Sequence, residues 1–413
     1  MRAKKLVLRS LWIWLLVLST VFISTEGRGA EPVPTALTLV DAKQQAADRN
    51  WDLLSAQRDV AIAATQKETA HEFSNPTLAF STSKINTDGK GNGTLAGGGF
   101  WDRSYDTVVA LTQPIEIGGK RANSQASAGA GYKAARAQYA DTHRLLEVSV
   151  SRSYIAAVLA DTAWRLAVDS GGFLRKEAEL AAVRLKAGDI AQADLDRIEI
   201  AARQMELQAQ NARAAAVGQH LAFEILIGIA HPRGDVVLSD DLEILADNGP
   251  PASSEHAALR PDLASAEQIL RKAEADLRLQ RAMRIPDPAL TLQYEHQPPD
   301  GPNTMGVGLS FPLPLWNRNR GAIHRALLVR EQASLAVGKI QAQIDAELGA
   351  ARATYYEALT RWHDYRDNLR PRADRVRLSV SVAYEKGGAS LLDLLEAQRS
   401  RRRRAVGHRP GGR

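Results

Sequence analysis

Residues that commonly carry catalysis or bind metal ions are sparse in this sequence. The chain contains no cysteine, which excludes disulfides, thiolate metal ligands and cysteine nucleophiles. The segment Gly118-Gly119-Lys120-Arg121 lacks the earlier glycine and the Ser or Thr of a phosphate-binding loop. Before the C-terminal tail the histidines stand singly, with no pair at metal-ligand spacing on one predicted helix: His71, His143, His220, His231, His256, His296, His324 and His363. We therefore expect a non-enzymatic protein without a cofactor or a resident metal ion.

The positive charge of the chain lies at its two ends. The formal net charge is +6, but residues 1–30 carry five Lys or Arg and one Glu, and residues 401–413 carry six Arg and no acid. The residues between them therefore carry a net charge of about −4. A nucleic-acid-binding domain needs a basic face on its folded body. This charge distribution therefore argues against a nucleic-acid partner.

The N-terminus has the organisation of a secretory signal peptide. Basic residues precede an apolar stretch from Leu11 to Ile23, and polar and small residues follow it. We assign the signal peptide to residues 1–30, with cleavage between 24 and 32. A transmembrane anchor is the alternative, although a spanning helix needs about 20 apolar residues. No later segment has a long apolar run, so any other membrane crossing must use strands.

An internal repeat with a spacing of about 200 residues organises the rest of the chain. Its landmarks occur in the same order in both halves: Asp52-Leu53 and Asp262-Leu263, Asn75-Pro76 and Asp287-Pro288, Pro114 and Pro312, Gly188 and Gly387, and Asp194-Leu195 and Asp393-Leu394. We assign residues 31–230 to the first repeat, 231–254 to a connecting segment, 255–400 to an incomplete second repeat and 401–413 to an aberrant Arg- and Gly-rich tail.

Each half is predicted to form a helix, two strands, a very long helix, a tight turn and a further helix. The first helix covers residues 38–72, and the long helix runs from Ala122 to Lys186 without proline. Gly171-Gly172 is a point where the long helix can bend. Residues at seven-residue intervals support this helix: Leu159, Leu166, Phe173 and Leu180. The next helix has a coiled-coil seam rich in alanine: Leu195, Ile198, Ala202, Met205, Ala209, Ala212 and Ala216.

The strands alternate between apolar and polar or small residues. In the second half the apolar positions are Leu290, Leu292 and Tyr294, followed by Met305, Val307, Leu309 and Phe311. In the first half they are Leu78 and Phe80, followed by Tyr105, Thr107, Val109 and Leu111 as a less regular set. This alternation is typical of transmembrane barrel strands. Four strands cannot close a barrel, whereas three copies supply twelve, so a membrane location implies a trimer. An edge of a soluble sandwich is the alternative.

The two strand-to-helix junctions resemble those of a known family. Residues 113–121 read Gln-Pro-Ile-Glu-Ile-Gly-Gly-Lys-Arg, and residues 311–321 read Phe-Pro-Leu-Pro-Leu-Trp-Asn-Arg-Asn-Arg-Gly. With the duplicated layout, these segments are similar to the TolC-like outer membrane factors, especially the branch serving heavy-metal cation efflux. The resemblance implies a mainly α protein with β strands, in which a trimeric 12-stranded outer-membrane β-barrel is continuous with a periplasmic α-helical tunnel.

The same resemblance implies partners and a location. The tunnel would contact a periplasmic adaptor protein and an inner-membrane pump of the resistance-nodulation-division type, and the barrel would contact outer-membrane lipid. We therefore expect a homotrimer in the cell outer membrane that extends into the periplasm. Any metal specificity would come from the pump, because the sequence contains no metal-ligand cluster.

The junction residues are the first set of candidate functional residues. Pro114 and Pro312 are expected to end their strands, because proline cannot donate to a ladder. The residues after them would turn the chain into the long helices, and the cations would meet lipid headgroups or line the mouth of the barrel. Solubilising charge at a turn is the alternative. The set comprises Pro114, Gly118, Gly119, Lys120, Arg121, Pro312, Pro314, Asn317, Arg318, Asn319, Arg320 and Gly321.

The helical turns are the second set, which the resemblance puts at the periplasmic tip of the tunnel. Asp189 and Ser390 are expected to cap the helices that follow the turns. Asp194 and Asp393 would ring the pore and concentrate cations in a trimer, with an ordinary helix surface as the alternative. The set for the tip, pore and adaptor contact comprises Gly188, Asp189, Asp194, Leu195, Gly387, Gly388, Asp393 and Leu394.

The second half departs from the family pattern after its turn. About a dozen residues separate Gly388 from the tail that begins at Arg401. Clustered arginine, glycine and proline cannot continue a packed helix, so we expect the last helix of the second repeat to be missing. Two other functions remain possible from the sequence. One is a duct of the same fold for drugs or peptides, and the other is a periplasmic coiled-coil adaptor or scaffold without a pore.

Overall fold

The computed structural model describes residues 36–83, 106–242, 260–297 and 301–386, together with 388, 389 and 393. The predicted signal peptide at 1–30 and the tail at 401–413 lie outside the described residues, as do Tyr105, Gly387, Ser390 and Leu394. The repeat boundaries at 230, 254 and 400 remain predictions.

The described elements follow the predicted order through the first half, and in the second half as far as its long helix. The first half contains α1 (Leu39–Arg49), α2 (Trp51–Thr69), β1 (Thr77–Thr82), β2 (Thr107–Pro114), α3 (Lys120–Ala187) and α4 (Gln192–Leu226). The second contains α5 (Pro261–Ala282), β3 (Ala289–Gln297), β4 (Gly301–Ser310), α6 (Arg320–Asp364), a π-helical turn (Tyr365–Leu369) and α7 (Arg370–Glu385). In the part of the chain that is described, no helix has the length and apolar character needed to cross a membrane.

The predicted helix at residues 38–72 is two helices, because Asn50 interrupts it. Asn50 has extended backbone angles, and its side chain accepts a hydrogen bond from the Leu53 N–H at 3.0 Å. This contact caps α2. The Asn50 amide also donates to the Leu226 carbonyl oxygen at 2.9 Å, so the break between α1 and α2 is attached to the end of α4.

A hydrophobic core joins α1, α2, α3 and α4. Tyr154 and Phe223 are both fully buried, with an edge-to-face contact at 5.7 Å between ring centroids. The Tyr154 hydroxyl donates to the Leu37 carbonyl oxygen at 2.9 Å and accepts from the Asp240 N–H at 3.3 Å. Burial raises the pKa of Tyr154 to about 12, and the nearby Asp240 carboxylate contributes in the same direction.

The helix α3 is continuous for 68 residues, which corresponds to about 100 Å. Gly171-Gly172 does not interrupt it. In the C-terminal part of α3, from residue 157 onward, the buried stripe is rich in small residues. It includes Ala157, Ala167, Gly171 and Ala181, together with the larger Leu174. The leucine heptad lies beside this stripe, and Leu180 is 55% exposed. On α4 the predicted seam is partly confirmed, with Leu195, Ile198, Ala202 and Ala216 buried.

The second long helix contains a π-helical turn. α6 continues through residues 365–369 into α7, whose first turn contains Pro371. Proline has no N–H to donate to the carbonyl four residues earlier, so the regular helical ladder cannot pass through this position. The sequence predicted one very long helix here, and the π-helical turn divides it into α6 and α7.

The four strands form one antiparallel sheet in the order β1-β2-β3-β4. The register pairs Leu78 with Leu111, Leu111 with Leu292, and Leu292 with Val307. Because directly paired residues point to the same side of a sheet, these side chains share one face. The predicted alternation is therefore present in the described strands.

Candidate functional site

The two faces of the sheet differ in chemistry. The apolar face contains Leu78, Phe80, Val109, Leu111, Leu290, Leu292, Tyr294, Met305, Val307 and Leu309, with the polar residues Thr82, Thr107, Gln113 and His296 at the ends of the strands. The polar face contains Thr77, Ala79, Ser81, Val108, Ala110, Thr112, Ala289, Thr291, Gln293, Glu295, Thr304, Gly306, Gly308 and Ser310. Met305 and Val307 are 75% and 77% exposed. This arrangement leaves a continuous band of apolar side chains open on one side of the sheet.

The first strand-to-helix junction is tied to the second half of the chain through Asp287. One carboxylate oxygen of Asp287 lies 2.7 Å from the Lys120 ammonium nitrogen, and the other accepts from the Ile117 N–H at 2.9 Å. The Lys120 side chain is only 13% exposed. Between these contacts Gly118 and Gly119 have φ angles of 72° and 76°, a region where a side chain is strained.

Arg121 connects the same junction to the end of α2. Its guanidinium carbon lies 3.4 Å from the centroid of the Phe73 ring, and the guanidinium donates to the His71 carbonyl oxygen. Ser74 donates to the Glu116 carboxylate at 2.8 Å. Lys120 and Arg121 therefore both have partners within the protomer. The sequence had predicted contact with lipid headgroups, a place lining the barrel mouth or a solubilising charge, and it did not indicate these partners.

The second junction uses asparagine where the first uses glycine. Asn319 has a φ angle of 56° and precedes α6, as Gly119 precedes α3. Its amide donates to the Gln280 carbonyl oxygen at 2.8 Å, and its backbone N–H donates to the Asn317 side chain at 3.0 Å. Asparagine tolerates this backbone region because its short side chain bonds locally.

The remaining residues of the second junction are exposed. They are Pro312, Pro314, Asn317, Arg318, Arg320 and Gly321. β2 ends at Pro114 as predicted, whereas β4 ends at Ser310, two residues before Pro312.

The turn between α3 and α4 closes with two backbone hydrogen bonds. Gly188 has a φ angle of 82° and donates to the Leu185 carbonyl oxygen at 3.0 Å, and Asp189 donates to the Arg184 carbonyl oxygen at 2.9 Å. Asp189 does not cap α4, because the N-cap position is Ala191, without a side-chain hydrogen bond. The prediction for Asp189 was wrong: the turn is closed by backbone groups, and α4 begins later.

The two aspartates after the turns, Asp194 and Asp393, differ in environment. Asp194 is half-buried and lies 3.3 Å from Arg197 on the same helix. Leu195 is buried against Ala181 and Ile198. In the second hairpin, Gly388 donates to the Ala383 carbonyl oxygen at 2.7 Å and Asp393 is exposed. The roles of Asp194 and Asp393 in a pore remain predictions.

A contact that no sequence pattern indicated joins the end of α3 to the end of α7. The Arg184 guanidinium lies 5.4 Å from the centroid of the Tyr384 ring. Burial raises the pKa of Tyr384, and the Arg184 charge opposes this shift. Asp287 was present among the repeat landmarks, but Phe73, Gln280, Arg184 and Tyr384 had no repeating signal that could have identified them.

The sequence is similar to one protein family and to several of its characterised members. The profile of the outer membrane efflux protein family matches residues 42–228 and 252–403. The cobalt-zinc-cadmium resistance protein CzcC of Cupriavidus metallidurans is 22% identical over 301 residues, covering 71% of this chain and 70% of that protein. The probable outer membrane lipoprotein SilC of Salmonella typhimurium is 26% identical, covering 84% of this chain and 78% of that protein.

Solved structures share the fold. A crystal structure of CusC superposes with a TM-score of 0.72 at 18% identity, covering 89% of this chain and 87% of that chain. The CmeC outer membrane channel of Campylobacter jejuni gives a TM-score of 0.68 at 18% identity, covering 89% and 81%. The fold class predicted from the sequence is confirmed. Because the family profile matches most of the residues, this chain belongs to the outer membrane efflux protein family.

Proposed function

We propose that three copies of this chain form an outer-membrane duct that exports heavy-metal cations by transport rather than catalysis. The observation that carries the proposal is the four-stranded sheet, with an exposed apolar face on one side and a polar face on the other. In a closed barrel the apolar face contacts lipid and the polar face lines the lumen.

The open edges of the sheet support the trimer. Within the described residues, β1 and β4 each pair with one neighbour only. Unpaired backbone groups at a sheet edge are costly in lipid, so the sheet needs closure by further strands. Three copies supply twelve strands, and joining β4 of one protomer to β1 of the next satisfies all edges.

The cargo and partners rest on the relatives. CzcC is named for resistance to cobalt, zinc and cadmium, and CusC is named as a cation efflux system protein. We infer the same class of cargo for this chain. A periplasmic adaptor and an inner-membrane pump of the resistance-nodulation-division type complete the export path, and the ends of the two helical hairpins, including Asp194 and Asp393, contact the adaptor.

The membrane assembly is tested with substitutions on opposite faces of β4. Val307→Arg puts a charge on the apolar face, where an arginine near the bilayer midplane costs about 2–4 kcal/mol. Gly308→Arg is the matched control on the polar face, since a Cβ at Gly308 would meet only Thr291, at 3.8 Å. We expect a heat-labile trimer in outer-membrane fractions for the wild type and Gly308→Arg, and loss of the trimer for Val307→Arg. A soluble wild-type monomer would favour the scaffold function.

The cargo is tested in cells that contain the adaptor and pump but lack their own outer-membrane duct. Expression of this chain is expected to lower cell-associated Zn²⁺, Co²⁺ or Cd²⁺, and Val307→Arg should not. Lowered accumulation of drugs without any change in metal content would favour the drug-export alternative.

A further inference from the structure

We propose that four exposed arginines and Trp316 bind anionic phospholipid headgroups in the membrane leaflet next to the helices. The arginine collar is defined here as Arg281 and Arg284 at the end of α5, with Arg318 and Arg320 at the second junction. All four are exposed. The inference rests on the membrane location of the sheet in the proposed function.

A pair of hydrogen bonds brings the two parts of the collar together. The Asn319 amide donates to the Gln280 carbonyl oxygen at 2.8 Å and lies 3.1 Å from the Gln280 side-chain oxygen. Arg281 follows Gln280 directly, and Arg318 and Arg320 flank Asn319. The left-handed backbone at Asn319 therefore fixes two arginines beside the end of α5.

The collar differs from the other cations of the junctions in its partners. Lys120 pairs with Asp287, and Arg121 stacks on Phe73. None of the four collar arginines has an acidic partner among the residues that the structure describes. Their charge is available for an anionic ligand, and a guanidinium matches a phosphate oxygen pair with two hydrogen bonds.

Exposed apolar side chains follow β4 along the chain up to the collar. Leu313 and Leu315 are 65% and 59% exposed, and Trp316 is 92% exposed. An indole combines a large apolar ring with one N–H donor, and it is most stable where hydrocarbon meets headgroups. Trp316 precedes Arg318 by two residues. The order along the chain is therefore lipid-facing strand, interfacial tryptophan and phosphate-binding cations.

The charge of the collar selects the ligand. A zwitterionic headgroup offers a phosphate together with its own cation, whereas phosphatidylglycerol offers a phosphate alone. An arginine near an anionic leaflet contributes roughly a fivefold gain in binding. The collar accordingly favours phosphatidylglycerol over phosphatidylcholine, and it anchors the junction at a fixed depth.

The test uses the full chain reconstituted in phosphatidylcholine vesicles with a trace of spin-labelled lipid. The measured quantity is the fraction of probe whose motion is restricted by the protein, for a phosphatidylglycerol probe and a phosphatidylcholine probe. The preference is expected in the wild type and should fall roughly 25-fold in the Arg318→Gln, Arg320→Gln double variant. Trp316→Ala should lower the motionally restricted fraction of both probes. The control is Arg152→Gln, Arg165→Gln, which removes two exposed arginines from α3 and should retain the preference.

A second measurement does not depend on the variants. High salt should remove the preference of the wild type while leaving both probes restricted, because screening weakens only the charge contribution. Equal restriction of the two probes at low salt, or an unchanged preference in the collar variant, would overturn the inference while the duct stands. If the protein restricts the motion of neither probe, the sheet does not lie in the membrane, and both proposals fail.

Discussion

At the residue scale, Glu224 shows how a buried charge can hold a loop. Its carboxylate is 1% exposed. It accepts backbone N–H bonds from Arg233 and Gly234 at 2.6 and 2.8 Å, and from Asp235 and Val236 at 3.0 and 3.2 Å. Four donors replace the water that the carboxylate loses on burial. The loop after α4 is therefore fixed by one side chain.

We predict that Glu224→Gln destabilises the protein by about 2–4 kcal/mol. The amide keeps the shape of the side chain, but its NH₂ group faces backbone donors and leaves buried N–H groups without an acceptor. Chemical unfolding followed by circular dichroism measures the change. Glu199→Gln, an exposed position on the same helix, serves as the control and should alter the unfolding free energy by less than about 0.5 kcal/mol.

The buried Tyr154 hydroxyl makes stability depend on alkaline pH. Its pKa is raised to about 12, above the ordinary value of about 10. The stability that depends on the neutral hydroxyl is therefore complete below about pH 10 and is lost as the pH rises toward the folded-state pKa.

In Tyr154→Phe, we expect a loss of about 1–3 kcal/mol at neutral pH, because the Leu37 carbonyl oxygen and the Asp240 N–H lose a partner. The difference from the wild type should shrink above about pH 10. Unfolding free energies across this pH range provide the measurement. A constant difference at all pH values would contradict the assigned role of the hydroxyl.

At the element scale, the contact between α3 and α4 depends on small side chains. Ala181 is 1% exposed and packs against Leu195 and Ile198. Alanine allows the two helices to approach closely, and a larger residue in this seam has no space without separation of the backbones.

Ala181→Leu is predicted to destabilise the hairpin by about 1–3 kcal/mol, because the added carbons overpack the seam. Hydrogen exchange of α3 and α4 amides near the turn should increase locally. Ala214→Leu, at an exposed position of α4, should leave exchange unchanged. Equal protection in the two variants would show that the seam tolerates a larger side chain.

At the scale of the whole molecule, charged residues of both halves lie close together at the start of α5. Arg260 donates to Asp262 at 2.6 Å and to Glu347 at 2.7 Å, and it connects the start of α5 with α6. Burial opposes ionisation of Asp262, but hydrogen bonds from Arg260 and the Leu263 N–H outweigh it, and the pKa of Asp262 lies below its ordinary value. Arg144 donates to Asp141 on the same helix, α3, at 2.7 Å, and its positive charge also lowers the pKa of Asp262 in the second half.

A depressed carboxyl pKa stabilises the folded state above the ordinary value of about 4, and the contribution is lost as the pH falls through the folded-state pKa. Asp262→Asn is therefore predicted to cost about 1–3 kcal/mol at neutral pH and progressively less below about pH 4. Unfolding at several pH values tests this prediction. Asp345→Asn, an exposed change on α6, should show neither effect.

The sequence by itself determined the order of the elements, the alternation along the strands and the glycine turn after α3. Each of these features depends on neighbouring residues, since a strand repeats every two residues and a helix about every 3.6. The register confirmed the alternation at Leu292 and Val307, and Gly188 has the left-handed backbone that the turn requires. The landmarks of the repeat also included Asp287 without revealing its partner.

Only the tertiary structure decided which residues from distant parts of the chain meet. Lys120 pairs with Asp287, and Asn50 breaks a predicted helix while bonding to Leu226. The buried stripe of α3 lies beside the leucine heptad, because its position depends on where α4 packs. The collar arginines are exposed, and none of them has an acidic partner among the described residues. Such contacts depend on the packing of whole elements, whereas a sequence pattern records only the spacing within one element.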